Sequence, residues 1–263
     1  MAFSTLGYRV EDGVALITLE RPKAHNAVNS VMGRELPLAW QRFESDDSAV
    51  VAIVTGAGER AFCVGADLAD LPQTDGEGRD GTLASIRWTS LQNRVGKPVI
   101  CAVNGMAVGG GLHFVADSDI VLAAEHATFF DTHVKVGLVA GLEPVALARR
   151  MPLEAVLRMT LVGGGERISA ARALTLGLVG ELVPAADLLT RAHEIATLIK
   201  ANSPAAMARS KRAIWEGTDR GLGAALDNAW SSIMEHSTHP DVEEGARAFI
   251  DKRTPCWRPY SER

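Results

Sequence analysis

The sequence predicts an α/β fold whose C-terminal part is helical. Three observations predict it. Short apolar runs rich in β-branched residues, Val50–Thr55 (VVAIVT), Val99–Val103 (VICAV) and Ile120–Ala123, have the character of buried parallel strands. Helical patterns lie between them, at about 82–95 and 110–117. From Pro152 onward the pattern is almost wholly helical, over 152–161, 169–176, 187–200, 203–216, 220–236 and 241–251.

The elements follow in order. Residues 6–19 alternate around Asp12-Gly13, and a DG pair supplies the positive φ of a tight hairpin turn. Val14, Leu16 and Thr18 fall on one face, Ala15, Ile17 and Leu19 on the other. Both faces are apolar, which predicts a pair covered on both sides. Asn29 or Ser30 caps a helix running to about Phe43, with Pro37 as an expected kink. Leu71–Gly81 (LPQTDGEGRDG) is polar and glycine-rich, as surface loops are. Ser169 and Pro204 mark helix starts. There is no repeat of fixed period and no low-complexity tract.

Composition narrows the function classes. A hydrophobic content of 47% with 22% charge is that of a globular chain able to bury a large core, and a net charge of −5 leaves no basic footprint for nucleic acid. Cys63, Cys101 and Cys256 are odd in number and form no CxxC pair. That argues against a disulfide framework or zinc ribbon and fits a reducing cytoplasm. The start, MAFSTLGYRVEDG, lacks the basic and apolar regions of a signal peptide. The longest apolar stretch, Val99 to Ala124, is interrupted by Asn104, glycines, His113, Asp117 and Asp119, so no membrane span is expected.

Two strands end in glycine turns. VVAIVTGAG leads to Ala61-Phe62-Cys63-Val64-Gly65-Ala66-Asp67, and VICAVNG leads to Met106-Ala107-Val108-Gly109-Gly110-Gly111. Small residues let a backbone approach a ligand closely, and unpaired N–H groups at a helix start can hold an anion or a developing oxyanion. Neither turn has P-loop or GxGxxG spacing. The alternative is glycine for tight strand–helix packing. Two histidines stand near these turns, His113 in GGGLHF and His133 in THV. Each is a satisfied core residue or an acid/base catalyst. His126 and His193 have the setting of surface residues. His236 and His239 have HxxH spacing near Asp241 but no fourth ligand, so no metal site is expected. Ser118 and Cys101 have no base nearby by any motif, which argues against a nucleophilic enzyme.

Together the segments are more specific than any one of them. ERPKAHNAVN (20–29), VTGAGERAFCVGADL (54–68), KPVICAVNGMAVGGGLHFVADSDIVLAAEHATF (97–129), the AxxLGLV run (173–179) and EGARAFIDKRTPCW (244–257) occur in the order and spacing of one family. Over nearly its whole length the chain resembles the crotonase superfamily, the enoyl-CoA hydratase/isomerase fold. The resemblance implies a ββα spiral core over 1–195 that binds acyl-CoA and a helical trimerisation region over 196–263. It implies a homotrimer or dimer of trimers. It implies an acyl-CoA substrate, with coenzyme A as part of that substrate and no separate cofactor. Two backbone N–H groups, here Ala66 and Gly110 beside Gly109, would hold the thioester oxygen. CoA contacts would fall on Lys23, Ala24 and Asp67, Leu68, with His25 lining the site or exposed. Phe249 and Lys252 would reach the CoA of a neighbouring subunit.

The chain departs from its family at the reacting groups. Hydratases of the family carry a glutamate two residues past the GGG and another shortly before a G-x-x-P-G stretch; here these are His113 and His133, and the stretch is Gly137-Leu138-Val139-Ala140-Gly141. The two imidazoles are expected to face each other across the thioester, one neutral as base and one cationic as acid. Asp131, Asp117 or Glu143 would orient one ring. Three functions follow: an enoyl-CoA hydratase or isomerase working through an enolate, a carbon–carbon hydrolase of a β-diketone or β-keto thioester, or an acyl-CoA binder without chemistry.

Overall fold

Each buried apolar run of the sequence is a strand of one six-stranded sheet. The computed structural model describes residues 2–72 and 86–260. Strands β1 (Leu6–Glu11) and β2 (Val14–Leu19) form the antiparallel hairpin, with Asp12 at φ 47° and Gly13 at φ 76° making the turn. Strands β3 (Val51–Gly56), β5 (Val99–Val103), β7 (Ile120–Ala124) and β10 (Glu181–Val183) continue it in parallel, in the order β1-β2-β3-β5-β7-β10. A second sheet joins β4 (Ala61–Cys63), β6 (Met106–Val108), β8 (Thr128–Phe130) and β9 (Ile168–Ser169) in that order. Strands β3, β5 and β7 lie in the large sheet, and β4, β6 and β8, which follow each of them, lie in the small one. The chain therefore winds in repeated two-strand turns, and the loops after β4, β6 and β8 collect on one side.

The period of two along the strands explains the two cores. Val14 and Leu16 face a cluster with Val51, Ile53, Ile100, Ala102 and Leu122, covered by Leu188, Ala192 and Ala196 of α6 (Leu188–Lys200). Ala15, Ile17 and Leu19 face a larger cluster with Met32, Leu36, Trp40 and Phe43 of α1 (Ser30–Ser45) and Phe62 of β4. Strand β2 is thus covered on both faces, whereas β1, at the sheet edge, leaves Arg9 and Glu11 exposed, so the expected two-sided cover holds for one strand of the pair. Helix α1 is capped by Asn29, whose Oδ1 accepts from Met32 N at 3.0 Å, and it runs uninterrupted through Pro37. Helix α2 (Leu112–Asp117) follows a short 3₁₀ turn at Gly109–Gly111 and is buried along its whole length.

The helical remainder comprises α3 (Leu142–Leu147), α4 (Leu153–Val162), α5 (Ala170–Thr175), α7 (Pro204–Gly217), α8 (Leu222–His236) and α9 (Pro240–Asp251). Ser169 caps α5 through Arg172 N at 3.2 Å, and Ser203 caps α7 through Ala206 N at 3.2 Å with Pro204 at the first position. No helix among the described residues is long and apolar enough to cross a membrane.

One expected helix does not form over its described residues. Residues 86–95 contain a single turn rather than the end of a helix; residues 82–85, and most of the Leu71–Gly81 loop, lie outside the described residues. Side chains take over the backbone groups here. Gln92 Oε1 accepts from Trp88 N at 2.8 Å and Thr89 N at 3.2 Å, and Asn93 Nδ2 donates to the carbonyls of Arg87 and Thr89 at 2.8 Å each. Such local bonding competes with a helical ladder.

Candidate active site

The site is built from the loops that follow β4, β6 and β8. After β4, Gly65 takes φ +87°, a conformation open to glycine. Val28 N donates to Gly65 O at 2.8 Å, and Asp67 N donates to Val28 O at 2.9 Å. These two bonds flank Ala66, so its own N–H is turned to the side away from Val28. The RPKAHN segment is stapled to the same turn. The Arg21 guanidinium meets the Asp67 carboxylate at 2.9 Å and holds its carboxyl below the usual carboxylate range. Asn26 Nδ2 donates to Ala57 O at 3.0 Å and Ala61 O at 2.9 Å. These bonds fix the buried Asn26 at φ 57°. Lys23 and Ala24 lie in the 3₁₀ turn Pro22–Ala24, with Lys23 exposed and His25, at φ 51°, half-buried. Leu68 is exposed.

The second glycine turn packs against the first. A Cβ added at Gly65 would lie 2.8 Å from Gly110 N, and one at Gly111 would lie 2.2 Å from Cys63 O. Tight packing is therefore part of what these glycines do. Gly110 N, in the first turn of the Gly109–Gly111 segment, has no carbonyl four residues earlier in a helix to meet. Trp88 closes one side: a Cβ at Gly110 would lie 2.9 Å from its Cζ3.

The two histidines arrive from different elements and each has its own carboxylate. His133 follows β8. The fully buried Asp131 accepts from His133 N through Oδ1 and from Nδ1 through Oδ2, both at 2.9 Å. That grip fixes the ring and leaves Nε2 without a hydrogen-bond partner among the described residues. The hydrogen bond to Asp131 raises the His133 pKa; burial opposes it and the nearby Glu143 charge reinforces it. A Cβ at Gly109 would meet His133 Cε1 at 3.4 Å, which places the ring beside the second glycine turn.

His113 is the second residue of α2 and is 5% exposed. Its Nε2 lies 3.1 Å from Glu143 Oε1 of α3, and its Nδ1 lies 3.4 Å from Gln92 Nε2. The Trp88 ring meets it edge-on, with centroids 6.2 Å apart. Burial, the largest single influence, pushes the Glu143 carboxyl up, but the hydrogen bond and charge of His113, a backbone hydrogen bond and the charge of His133 together outweigh it, and the net displacement is downward. Asp117 orients neither ring. It accepts from Thr89 Oγ1 at 2.7 Å, and burial raises its pKa.

The sequence did not point to Trp88 or Gln92. They belong to no motif, and they sit in the segment whose helical pattern the structure does not follow. The remaining histidines have other occupations. His126 Nε2 lies 3.1 Å from Glu59 O, and His193 Nδ1 lies 2.7 Å from Leu189 O. His236 and His239 stack at 4.9 Å, and His239 Nδ1 accepts from Asp241 N at the start of α9. Phe249 and Lys252 are exposed at the end of α9, with Phe249 86% exposed. A separate groove of about 830 Å³ runs along α7 and contains none of the site residues. Its carboxylate, Asp119, is taken by Lys211 Nζ and Trp215 Nε1, each at 2.8 Å.

Known proteins share this arrangement of elements. Residues 9–259 match the family model of enoyl-CoA hydratase/isomerase. The chain is 35% identical to a mevalonyl-coenzyme A hydratase of Aspergillus fumigatus, covering 94% of this chain and 92% of the relative. It is 34% identical to a short-chain-enoyl-CoA hydratase of Clostridium acetobutylicum, over 92% and 93% of the two chains. A crystal structure of an enoyl-CoA hydratase/isomerase from Mycobacterium paratuberculosis superposes with a TM-score of 0.92 at 41% identity, covering 98% of this chain and 100% of the other. With its two sheets wound in two-strand turns and its trailing helices, the chain belongs to the enoyl-CoA hydratase/isomerase family of the crotonase superfamily, and it is an enzyme of the hydratase-like lyase type.

Proposed function

We propose that the chain adds water to, or removes it from, an acyl-CoA thioester through an enolate. The thioester oxygen sits between the N–H groups of Ala66 and Gly110, where paired donors stabilise the charge that develops on it. His133 Nε2 meets the water or the acyl carbon on one side, and the His113–Glu143 pair handles the second proton. Asp131 holds His133 by the logic of any carboxylate-oriented imidazole: the free nitrogen is aimed and the imidazolium is stabilised. The observation that carries this reading is the contact of the two glycine turns, Gly65 against Gly110, with His133 beside Gly109. The named activities of the relatives support the water-adding chemistry.

The CoA moiety runs past Lys23, Ala24 and the Asp67-Leu68 turn, with His25 at its edge. Phe249 and Lys252 reach the CoA of a neighbouring protomer in a trimer or dimer of trimers. Leu222, Leu226, Trp230 and Ile233 make an exposed apolar stripe along α8, and that stripe supports an oligomer. The test is turnover of crotonyl-CoA and longer or branched enoyl-CoAs, followed by loss of enoyl absorbance. Affinity for acyl-CoA with no turnover on any thioester would leave a binder and end this reading.

A second reading is favoured by one observation: both imidazoles are backed by carboxylates. Carboxylate-backed imidazoles suit attack of water on a ketone, and so carbon–carbon cleavage of a β-diketone or β-keto thioester. Cleaved product seen by mass spectrometry, and lost in His133→Ala, would establish it.

A further inference from the structure

We propose that Gln92 is a positioning residue that holds His113 in its neutral tautomer, protonated on Nε2, so that Glu143 and not His113 exchanges the second proton. This rests on the acyl-CoA reading of the site given above.

Gln92 Oε1 accepts from Trp88 N at 2.8 Å and Thr89 N at 3.2 Å. Only an oxygen accepts from two backbone N–H groups, so the amide has one orientation, with its NH₂ group toward His113. That group lies 3.4 Å from His113 Nδ1 and donates to it. An Nδ1 that accepts carries no proton, so the ring proton is on Nε2 and donates to Glu143 Oε1 at 3.1 Å. Protonation of Nδ1 would turn two N–H donors toward each other, so Gln92 opposes the imidazolium.

Both ring nitrogens are then in use, and His113 has none to offer a substrate. Glu143 is different: Oε2 receives no hydrogen bond from a second side chain among the described residues. The other ionisable groups near the ring are Asp117, four residues on and bonded to Thr89, and Arg150, whose guanidinium donates to the backbone carbonyls of Ala116 and Ser118. His133 and Asp131 complete the surroundings from the loop after β8. In dehydration Glu143 takes the proton from the acyl carbon while the His133 imidazolium gives one to the departing hydroxyl, and hydration runs the same two transfers in reverse. The Nε2 proton stays on His113 throughout.

Two kinds of measurement test this on the full-length protein. Imidazole ¹⁵N NMR of the histidine-labelled enzyme, free of ligand, reads the tautomer on either side of the usual histidine pKa of about 6.5. The expected His113 has Nδ1 bare and Nε2 protonated. Gln92→Glu keeps an oxygen for Trp88 and Thr89 but offers a second one to Nδ1–H. It should give a doubly protonated His113 near neutral pH, move the acid limb of the kcat profile upward and lower kcat about tenfold with little change in KM. Glu143→Gln should lose about 10²-fold or more in kcat, and His113→Gln, whose amide still donates to Glu143, should lose clearly less. A wild-type His113 protonated on Nδ1, an unmoved pH profile in Gln92→Glu, or equal losses at His113 and Glu143 would each overturn the proposal. Failure of the acyl-CoA reading looks different: the NMR signature as expected, but no turnover by the wild-type protein.

Discussion

Gly65→Ala separates the proposed oxyanion function of the glycine turns from their packing function. The new Cβ would lie 2.8 Å from Gly110 N and 3.2 Å from Val108 O, both backbone atoms. Carbon and nitrogen in ordinary contact stay about 3.5 Å apart, so the overlap with Gly110 N is about 0.7 Å and no side chain can swing away to relieve it. The turns must part by most of that distance. The φ of +87° adds about 1–2 kcal/mol of backbone strain for an alanine. At roughly 2–4 °C per kcal/mol for a chain of this size, the melting temperature should fall by about 2–8 °C. If Ala66 and Gly110 jointly hold the thioester oxygen, separating them should cost about 10²–10³ in kcat, the loss typical of removing one oxyanion donor. Gly177→Ala is the control. It has φ +80°, and its Cβ would meet Arg150 O at 3.3 Å, away from both turns. It carries similar backbone strain without that overlap, so it should lower the melting temperature somewhat less and keep kcat within about threefold. Enoyl-CoA turnover and thermal melts on both variants decide the matter. Near-normal kcat in a folded Gly65→Ala, or an equal loss in Gly177→Ala, would refute the assignment of these amides.

Further outcomes are expected. His133→Ala should lose about 10²–10⁴ in kcat, and Asp131→Asn should move the His133 limb of the pH–rate profile to lower pH, because the hydrogen bond to Asp131 raises that pKa. The same shift sets a stability window. A histidine raised in the folded state stabilises fully below about pH 6.5 and loses that contribution as pH rises through its folded value. The deficit of Asp131→Asn in urea melts should therefore be larger in mild acid than in base. Thiol titration of the native protein should find at most one fast-reacting cysteine, the exposed Cys256, since burial pushes Cys63 up to about 12 and Cys101 further still. Trp230→Glu, placed on the apolar stripe of α8 where the ring is 63% exposed, should reduce the mass measured by light scattering if that stripe joins protomers.

Much of this architecture was legible because it is written in short-range chemistry. The β-branched runs became β3, β5 and β7, the DG pair became the hairpin turn, and Ser169 and Ser203-Pro204 begin helices where caps predict them. The strands that carry the site, β4, β6 and β8, have three residues each and no periodicity to detect. Helix α3 was hidden for a similar reason: six residues with Pro144 near the start give no repeat. At the site His113 and His133 could be found from their motifs, and Asp131 and Glu143 stood among three candidate partners, but which ring each would meet, and Gln92 altogether, could not. Asp131 pairs two residues along its own loop, whereas Glu143 reaches His113 across thirty residues and Gln92 reaches it across 21. Such pairings are set by how the loops stack, and sequence spacing does not encode that.

The unequal settings of the two histidines bear on what replaced the family's carboxylates. A glutamate has a reference pKa of about 4.3 and a histidine about 6.5, so at neutral pH an imidazole is the stronger base by about two units. Proton transfer is most efficient when the catalyst's pKa lies near the working pH. At position 133 the exchange moves in that direction, and Asp131 moves it further by favouring the cation. Position 113 is different: Gln92 Nε2 and Glu143 Oε1 engage both ring nitrogens, which leaves neither for the substrate. On the proposed roles, the second carboxylate of the family has not been lost but displaced: it arrives from α3 and is held by the imidazole that took the old place. One strong base and one weak one then flank the acyl group, and the asymmetry gives each proton a definite owner. A substrate whose water must be activated strongly on the His133 side suits that division, which predicts that His133→Glu, restoring the family's residue there, lowers kcat most near neutral pH. Unchanged activity in His133→Glu across that range would show that base strength at this position is not what the histidine contributes.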